Sequence, residues 1–361
     1  MKQISSAIPL DLPSRAKTLS VLETLAIGTA GGLLFVVAHL PGGLISGAML
    51  AVGIAAMAGR PLSVPPILTQ SILVVLGISL GSVVSRQLIQ HVSAYPVTIA
   101  LLALATFCST FGSSYYLQRV HGWDRTSAFL AGSPGALSQI TILAVERGAD
   151  LPAIAVVQTL RVIALTAALP LLLALGGLAP ASAPAMTMTT ASPLELAGLV
   201  AAALALSMLL RLVKFPASWM FGAMIASAVL HGMGLIEGGL PPSVRNVALV
   251  GIGALMGSRF ARMKMKTLLG HLNAAIGSFA IAIAISAIFV AAIVLTTQVH
   301  FADILVAFAP GAMDAMLALA LTLHIDPVFV GAHHLARFVF VTIATPGIVH
   351  LFGRPQDDVD D

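Results

Sequence analysis

Long apolar stretches follow one another along nearly the whole chain, with short polar or proline- and glycine-containing connections between them. Ten of these stretches have about 17 to 25 residues, the length that an α-helix needs to cross the hydrocarbon core of a bilayer. The pattern therefore predicts an all-α integral membrane protein with about ten transmembrane helices. The stretches lie at about 20–38, 42–59, 67–85, 95–118, 152–178, 194–212, 216–233, 242–258, 272–298 and 328–352.

Two shorter apolar stretches, at about 127–146 and 303–323, each contain a Pro-Gly pair. Proline interrupts a helix because it lacks the backbone N–H group, and glycine weakens a helix because it loses the most conformational freedom there. We therefore expect two broken segments. Each of them either re-enters on the face from which it came or crosses the bilayer.

The chain also repeats itself. Gly47-Ala48-Met49 returns as Gly222-Ala223-Met224 at an offset of 175 residues, and further matches follow in order at an offset of 176. A period of this length indicates two copies of a half-protein. The further matches are Pro65-Pro66 with Pro241-Pro242, Gly77 with Gly253, Gly81-Ser82 with Gly257-Ser258, Arg86 with Arg262, Pro134-Gly135-Ala136 with Pro310-Gly311-Ala312, Arg161 with Arg337, and Pro170 with Pro346.

Two of these matches form a pattern of small residues four positions apart. Gly77 and Gly81 in the first half correspond to Gly253 and Gly257 in the second. Small residues at this spacing let two helix backbones approach closely in a membrane. We expect a close helix contact at both places.

The distribution of Lys and Arg predicts the orientation, because cytoplasmic loops carry the excess of these residues. If both broken segments re-enter and the N-terminus is cytoplasmic, 14 of the 18 Lys and Arg residues lie on the cytoplasmic side, and only Arg86 and Arg245 lie outside. If both segments cross, the loop charges divide evenly between the two sides. The first arrangement is favoured. It gives five spans per half, and an odd number inverts the second half relative to the first.

This arrangement predicts a multi-pass membrane protein with both termini in the cytoplasm. Its parts are a cytoplasmic N-terminal segment 1–19, a first membrane repeat 20–178, an external linker 179–192, a second membrane repeat 193–352 and an acidic cytoplasmic tail 353–361.

Composition agrees with a membrane protein. Hydrophobic residues make up 58% of the chain and charged residues 9%, and the mean hydropathy is +1.01. Soluble domains have about 25% charged residues. The single cysteine, Cys108, excludes an internal disulfide and a thiolate metal cluster.

The broken segments are the first candidate site. A helix broken at membrane depth leaves backbone N–H and C=O groups unpaired, so it is tolerated only against protein or a water-filled cavity. The N-terminal ends of half-helices carry partial positive charge, which suits an anion. A plain loop or helix cap in a bundle is the alternative interpretation.

Arg161 and Arg337 are the second signal, because each lies inside an apolar run. An arginine at the bilayer centre costs at least about 2.5–3.5 kcal/mol unless it has a partner. Two interpretations stay open. The two guanidinium groups grip a carboxylate or phosphate in one cavity, or they are neutralised internally by Asp314, Glu23, Glu195 or the carbonyl groups of the broken segments.

Together these signals predict a set of substrate-binding residues and no catalytic residue. We expect no metal and no cofactor, because a metal site needs clustered ligands that the spacing of the ten histidines does not supply. The chain is therefore not expected to be an enzyme. The predicted substrate-binding residues are Ser133, Pro134, Gly135, Ser138, Gln139, Gln158, Arg161, Pro310, Gly311, Asp314, His334 and Arg337.

The chain resembles the AbrB family of bacterial integral membrane proteins, which are built from two copies of the membrane AbrB duplication. The likeness covers residues from about 20 to 352 and is carried by the two Pro-Gly-Ala segments, the two Gly-Ala-Met segments and the order of the apolar blocks. The resemblance implies the labels given to members of this family, which are regulation of gene expression and ammonia monooxygenase activity. The small DNA-binding regulator of the same name is unrelated.

Two functions follow as hypotheses. The first is a secondary transporter or exporter of a small anionic metabolite, since paired interrupted helices in an inverted repeat are typical of such proteins. The second is a membrane-embedded regulatory protein that transports nothing. An ammonia monooxygenase would need a ligand cluster that the sequence lacks. The expected partners are the lipid bilayer and a small-molecule substrate, with no direct nucleic-acid contact, and a homo-oligomer is left open.

Overall fold

The computed structural model describes residues 15–40, 42–82, 95–135, 137–177, 190–263 and 265–352. Within these ranges the chain forms fourteen α-helices and one short 3-10 helix, and no β-strand. The all-α prediction is confirmed for this part of the chain. The helices are α1 (Arg15–Val37), α2 (Gly43–Met57), α3 (Pro66–Ser82), α4 (Tyr95–His121), α5 (Arg125–Gly132), α6 (Leu137–Glu146), α7 (Leu151–Leu175), α8 (Pro193–Leu212), α9 (Ser218–Gly232), α10 (Pro242–Ser258), the 3-10 helix (Arg259–Arg262), α11 (Met265–Thr296), α12 (Phe301–Phe308), α13 (Met313–Thr322) and α14 (Pro327–Leu351).

Six of the described helices are long and apolar enough to cross a membrane, namely α1, α4, α7, α8, α11 and α14. Each of the ten apolar stretches forms a helix, but α2 and α9 have 15 residues and α3 and α10 have 17. At 1.5 Å per residue these four helices are about 22–26 Å long, which is less than the hydrocarbon thickness of about 30 Å. Six spanning helices are thus supported by length and composition, and the arrangement of ten stays a prediction.

Local features determine where the short helices begin. The backbone turns into the left-handed region at Gly42 before α2 and at Ala217 before α9, where φ is 65° and 44°. Prolines open the other two, because Pro66 and Pro242 are the first residues of α3 and α10. Proline is tolerated in the first turn of a helix because the N–H group it lacks has no partner there.

The short helices pack in two pairs, α2 on α10 and α3 on α9, and each pair joins a helix of the first half to a helix of the second. At each contact a glycine lies against a backbone carbonyl of the other helix, and a side chain at Gly77 or Gly81 would overlap the carbonyl oxygens of Met220 and Met224. The second pair has the same arrangement. The prediction of close helix approach at the two glycine patterns is confirmed, and the matching contacts are Gly253 with the carbonyl of Ile45 and Gly257 with that of Met49.

Helices α1 and α8 complete this first group by packing on α2 and α9. The Gly-Ala-Met segments lie in these contacts, because Gly47 meets the backbone of Gly31 and Gly222 meets that of Ser207. The motif that repeats most clearly in the sequence therefore permits close packing.

A second group is built around α4, α7, α11 and α14, with α4 packed on α11. The two broken segments lie in this group. The first is interrupted between α5 and α6, at 133–135, and the second between α12 and α13, at 309–312. The prediction that these segments are not plain helices is confirmed. Buried apolar side chains fill the space between the helices, and Phe308 and Phe329 are among the largest fully buried ones.

Several sequence predictions lie outside the described residues. These concern the tail segments, most of the linker at 179–192, and the side chains of Arg86, Ser138 and Gln139. The boundaries of the two repeats stay predictions.

Candidate functional site

In the first broken segment, Arg161 of α7 donates to the end of α5. Its two terminal nitrogens, Nη1 and Nη2, lie 3.2 Å from the carbonyl oxygen of Gly132 and 3.0 Å from that of Ser133. Gln158, one turn earlier on α7, donates through Nε2 to the carbonyls of Leu130 and Ser133 at 2.9 and 3.3 Å. The side chains of α7 thus satisfy the carbonyl groups that the helix break exposes.

The second broken segment has the same construction. Arg337 of α14 donates through Nη1 to the carbonyl oxygen of Ala309 at 2.6 Å and through Nη2 to that of Ala307 at 2.5 Å. His334 Nε2 lies 3.1 Å from the carbonyl oxygen of Val306. Here too an arginine and a second donor three residues earlier cover the end of the first half-helix.

Most of these contacts correspond at an offset of 176, and only the acceptors Gly132 and Ala307 do not. Gln158 and His334 are such a pair, and their acceptors, Leu130 and Val306, are another. Each arginine is the eleventh residue of a helix of 25. At 1.5 Å per residue this position is about 15 Å from the start of the helix, half the thickness of a bilayer core.

The end of a helix leaves its last four carbonyl groups without partners, and these carbonyls carry partial negative charge. A guanidinium group at this place completes the hydrogen bonds and compensates the charge. The carboxylates considered as partners are engaged elsewhere. Glu23 forms an ion pair with Arg60 at 2.5 Å, and Glu195 closes a capping box with Ser192 at the start of α8.

Both arginines keep unused donors. Each guanidinium has five N–H groups, and the carbonyl bonds use two of them. In the described part of the protein, Nε of Arg161 and Nε of Arg337 are buried without a hydrogen-bond partner, and both side chains are 3% exposed. A buried donor without a partner costs about 1–3 kcal/mol, and more when charged. This is an arrangement that an acceptor from a ligand would complete.

A cavity of about 400 Å3 lies beside the two arginines. Its volume falls in the range of small-molecule sites, which is about 300–1,000 Å3. Residues of both helix groups line it, since Leu73 of α3 and Ala217 before α9 face the second group there. Eight of the predicted site residues line it as well: Gly135, Gln158, Arg161, Pro310, Gly311, Asp314, His334 and Arg337.

The cavity contains a third arginine that the sequence analysis did not select. Arg259, in the 3-10 turn after α10, lines the cavity and interacts electrostatically with Asp314. In the sequence Arg259 belongs to a basic run at 259–266, and such runs usually anchor a loop at the membrane surface. A usable signal was present, since Arg259 directly follows the apolar helix and has an apolar residue, Val83, 176 positions earlier.

The remaining predicted residues have other positions. Ser133 does not line the cavity; its hydroxyl bonds the carbonyl of Phe129 at 2.9 Å, while its own carbonyl accepts from Arg161. Pro134 is buried in the break. The side chains of Ser138 and Gln139 lie outside the described residues. Whether any of the predicted residues binds a substrate stays a prediction.

His333, the neighbour of His334, has a structural position. Its ring nitrogens bond the carbonyl of Phe329 at 2.7 Å and the hydroxyl of Thr98 at 2.8 Å. It therefore ties α14 to α4. Over the described ranges, no three His, Cys, Asp or Glu side chains are grouped so that they could hold a metal ion.

Comparison with known proteins gives a family and two relatives. Residues 44–353 match a family model described as "Transition state regulatory protein AbrB". "Uncharacterized protein YhjN" of Bacillus subtilis (strain 168) is 27% identical over 306 residues, which cover 78% of this chain and 79% of that protein. "Putative regulator AbrB" of Escherichia coli (strain K12) is 24% identical over 317 residues, which cover 87% and 91%. No solved structure matches.

Proposed function

The chain belongs to the AbrB family, and from this premise we propose that it is a secondary transporter or exporter of a small anionic metabolite in the bacterial inner membrane. The observation that carries the proposal is the cavity between the two broken segments. Three arginines line it, and two of them have buried Nε–H groups without partners. Positive charge and unpaired donors beside a cavity suit an anion.

The proposed architecture is an inverted repeat of about ten spans with two re-entrant segments. Contacts that recur 176 residues apart support a duplication, as do the pairs α2 with α10 and α3 with α9. In such a repeat, alternating access moves one helix group against the other around the broken segments. The cavity fits this mechanism because both helix groups contribute to its lining.

A labelling experiment tests the inversion. Ala183→Cys in a chain with Cys108→Ala places one thiol in the linker between the halves. An inverted arrangement exposes this thiol outside, so a membrane-impermeant maleimide labels it in intact cells. Labelling only after the cytoplasmic face is opened would contradict the inverted repeat. Thr18→Cys, near the start of α1, is the matched control for the cytoplasmic side.

A ligand screen tests the function. The purified protein is heated with carboxylates, amino acids, phosphate or ammonium, and the unfolding temperature is recorded. A ligand that binds only the folded state stabilises it by about 2.7 kcal/mol at a hundredfold excess over its dissociation constant. We expect stabilisation by an anion, with weaker stabilisation in Arg161→Gln and Arg337→Gln. Uptake of the same labelled anion into proteoliposomes then distinguishes transport from binding.

A regulatory role is the second candidate, because one relative carries the name "Putative regulator AbrB". In this chain it would act without direct nucleic-acid binding, through a cytoplasmic partner or through a transported molecule. If no anion stabilises the protein and proteoliposomes take up none, the regulatory role becomes the better explanation.

A further inference from the structure

The charges around the cavity do not balance. Arg161, Arg259 and Arg337 contribute three positive charges, because a guanidinium stays protonated in proteins. Asp314 is the one carboxyl group among the lining residues; it interacts electrostatically with Arg259 and offsets at most one of these charges. His334 bonds a carbonyl through Nε2, which a neutral imidazole can do. The lining therefore holds an excess of at least two positive charges.

The helix ends do not remove this excess. Two half-helices, α5 and α12, end at the breaks, and two others, α6 and α13, begin there. A helix end carries about half an elementary charge, negative at the C-terminus and positive at the N-terminus. The four ends therefore cancel one another. Arg161 and Arg337 also lie close enough to repel each other electrostatically.

Each of these two guanidinium groups has N–H donors beyond the two that bond carbonyl groups. Its two carbonyl bonds fix the group in place and leave Nε–H and two further N–H donors of its five. Two such groups can each take one anionic group of a single ligand. No carboxylate in the described ranges lies within 4 Å of either guanidinium to take that place.

We propose that the cavity binds a small dianion, such as a short dicarboxylate or a doubly charged phosphate, with one guanidinium group for each end or face of the ligand. This proposal rests on the proposed transport function and specifies its substrate class. When both side chains are ionised, Arg259 and Asp314 together add no net charge. It belongs to the second half of the chain only, so the two like-charged arginines of the repeat set the charge of the ligand.

A matched ligand pair tests the charge of the ligand in the full-length protein. Succinate and its monoamide, succinamate, have the same length and differ by one charge at pH 7.5. We expect succinate to bind at least about tenfold more tightly by calorimetry, since a hydrogen bond to a charged group contributes about that factor. Phosphate and sulfate form a second arm, which distinguishes a compact dianion from a dicarboxylate.

The possible outcomes separate the two proposals. Equal binding of succinate and succinamate would overturn the dianion proposal and leave anion transport standing. Tight binding of phosphate or sulfate with no binding of either carboxylate would support a dianion and assign it to the compact class. If none of these anions binds, and the broad screen also fails, the transport proposal itself is wrong.

Variants of the asymmetric pair test the charge count independently of the ligand shape. Arg259→Gln lowers the excess to one charge, and we expect the preference for succinate over succinamate to fall about tenfold. Asp314→Asn raises the excess and strengthens succinate binding. The double variant restores an excess of two, so its preference for succinate returns. A double variant that discriminates as poorly as Arg259→Gln alone would contradict the proposal, and a variant that does not fold leaves the wild-type ligand pair as the deciding test.

Discussion

The two broken segments share a framework and differ in their chemistry. In both, an arginine on a long helix donates to two carbonyl groups at the end of a half-helix, and a second donor lies three residues earlier. The second donor is Gln158 in one half and His334 in the other. Asp314 and Arg259 have no charged counterpart, because the residues 176 positions earlier are Ser138 and Val83.

This difference distinguishes residues that occur in both halves from residues that occur in one half only. Features present in both halves, the arginines and the glycine contacts, hold the helices in position, and the two arginines also carry the charges proposed to bind the ligand. Features present in one half break the symmetry of the cavity and give it one distinct side. Variants at shared positions should therefore have equal effects in the two halves.

The largest effect is expected for the arginines. Arg161→Gln and Arg337→Gln each lose two charge-assisted bonds to carbonyls, which costs about 3 kcal/mol or more in unfolding free energy. SDS-induced unfolding in mixed micelles measures the loss. Arg161→Lys and Arg337→Lys keep the charge but not the two-armed geometry, and should recover part of it. If one glutamine variant is as stable as the wild type, the two segments do not share a framework.

The glycine contacts should give the next largest effect. A methyl group at Gly81 or Gly257 overlaps a carbonyl oxygen on the facing helix, so Gly81→Ala and Gly257→Ala are expected to destabilise by about 1–3 kcal/mol each. Gly198→Ala is the control, because this helical glycine has open space around it. It should stabilise by about 0.5–1 kcal/mol, since alanine is the better helix former. A harmless Gly257→Ala would show that α2 and α10 are not in close contact.

Exchange of the second donors has a smaller expected effect. Gln158→Leu and His334→Leu remove the donors and should cost about 1 kcal/mol for each bond lost. Gln158→His and His334→Gln keep a donor and should cost less than the leucine variants by the same unfolding measurement. If Gln158→His destabilises the protein as much as Gln158→Leu, the two sites differ in shape as well as in charge.

The smallest effect is expected at the ion pair between Glu23 and Arg60, which belongs to the first half only. Arg60 is 62% exposed, and an exposed pair contributes about 0–1 kcal/mol. Glu23→Gln should therefore change stability by less than about 1 kcal/mol, and 1 M salt should remove the difference because it screens surface charges. A change larger than the cost of Gly81→Ala would mean that α1 is held by this pair and not by packing.

The sequence predicted the features that local chemistry dictates. The Pro-Gly pairs identify the breaks, the glycine spacing identifies the close contacts, and the arginines stand out because charge is rare in apolar runs. The acceptors of the arginines were among the alternatives that the sequence left open, but the sequence could not select between them. They are backbone carbonyls 28 to 30 residues away, and any of several groups could have taken that role.

The position of Arg259 at the cavity could not be predicted from the sequence either. Its place in a basic run indicated the membrane surface, and only the fold brings the 3-10 turn after α10 to the cavity. The four short helices follow the predicted apolar stretches, and α10 coincides with 242–258. Only the left-handed turns at Gly42 and Ala217 were beyond the pattern.

The bonds from the arginines to the breaks also bear on biosynthesis. Each break leaves the ribosome 28 to 30 residues before the arginine that completes its hydrogen bonds. Exposed carbonyl groups are costly in lipid, so a newly made segment has to wait in the insertion machinery or near water until α7 or α14 arrives. Because of the order of synthesis, each broken segment is completed only when the arginine on the following long helix arrives.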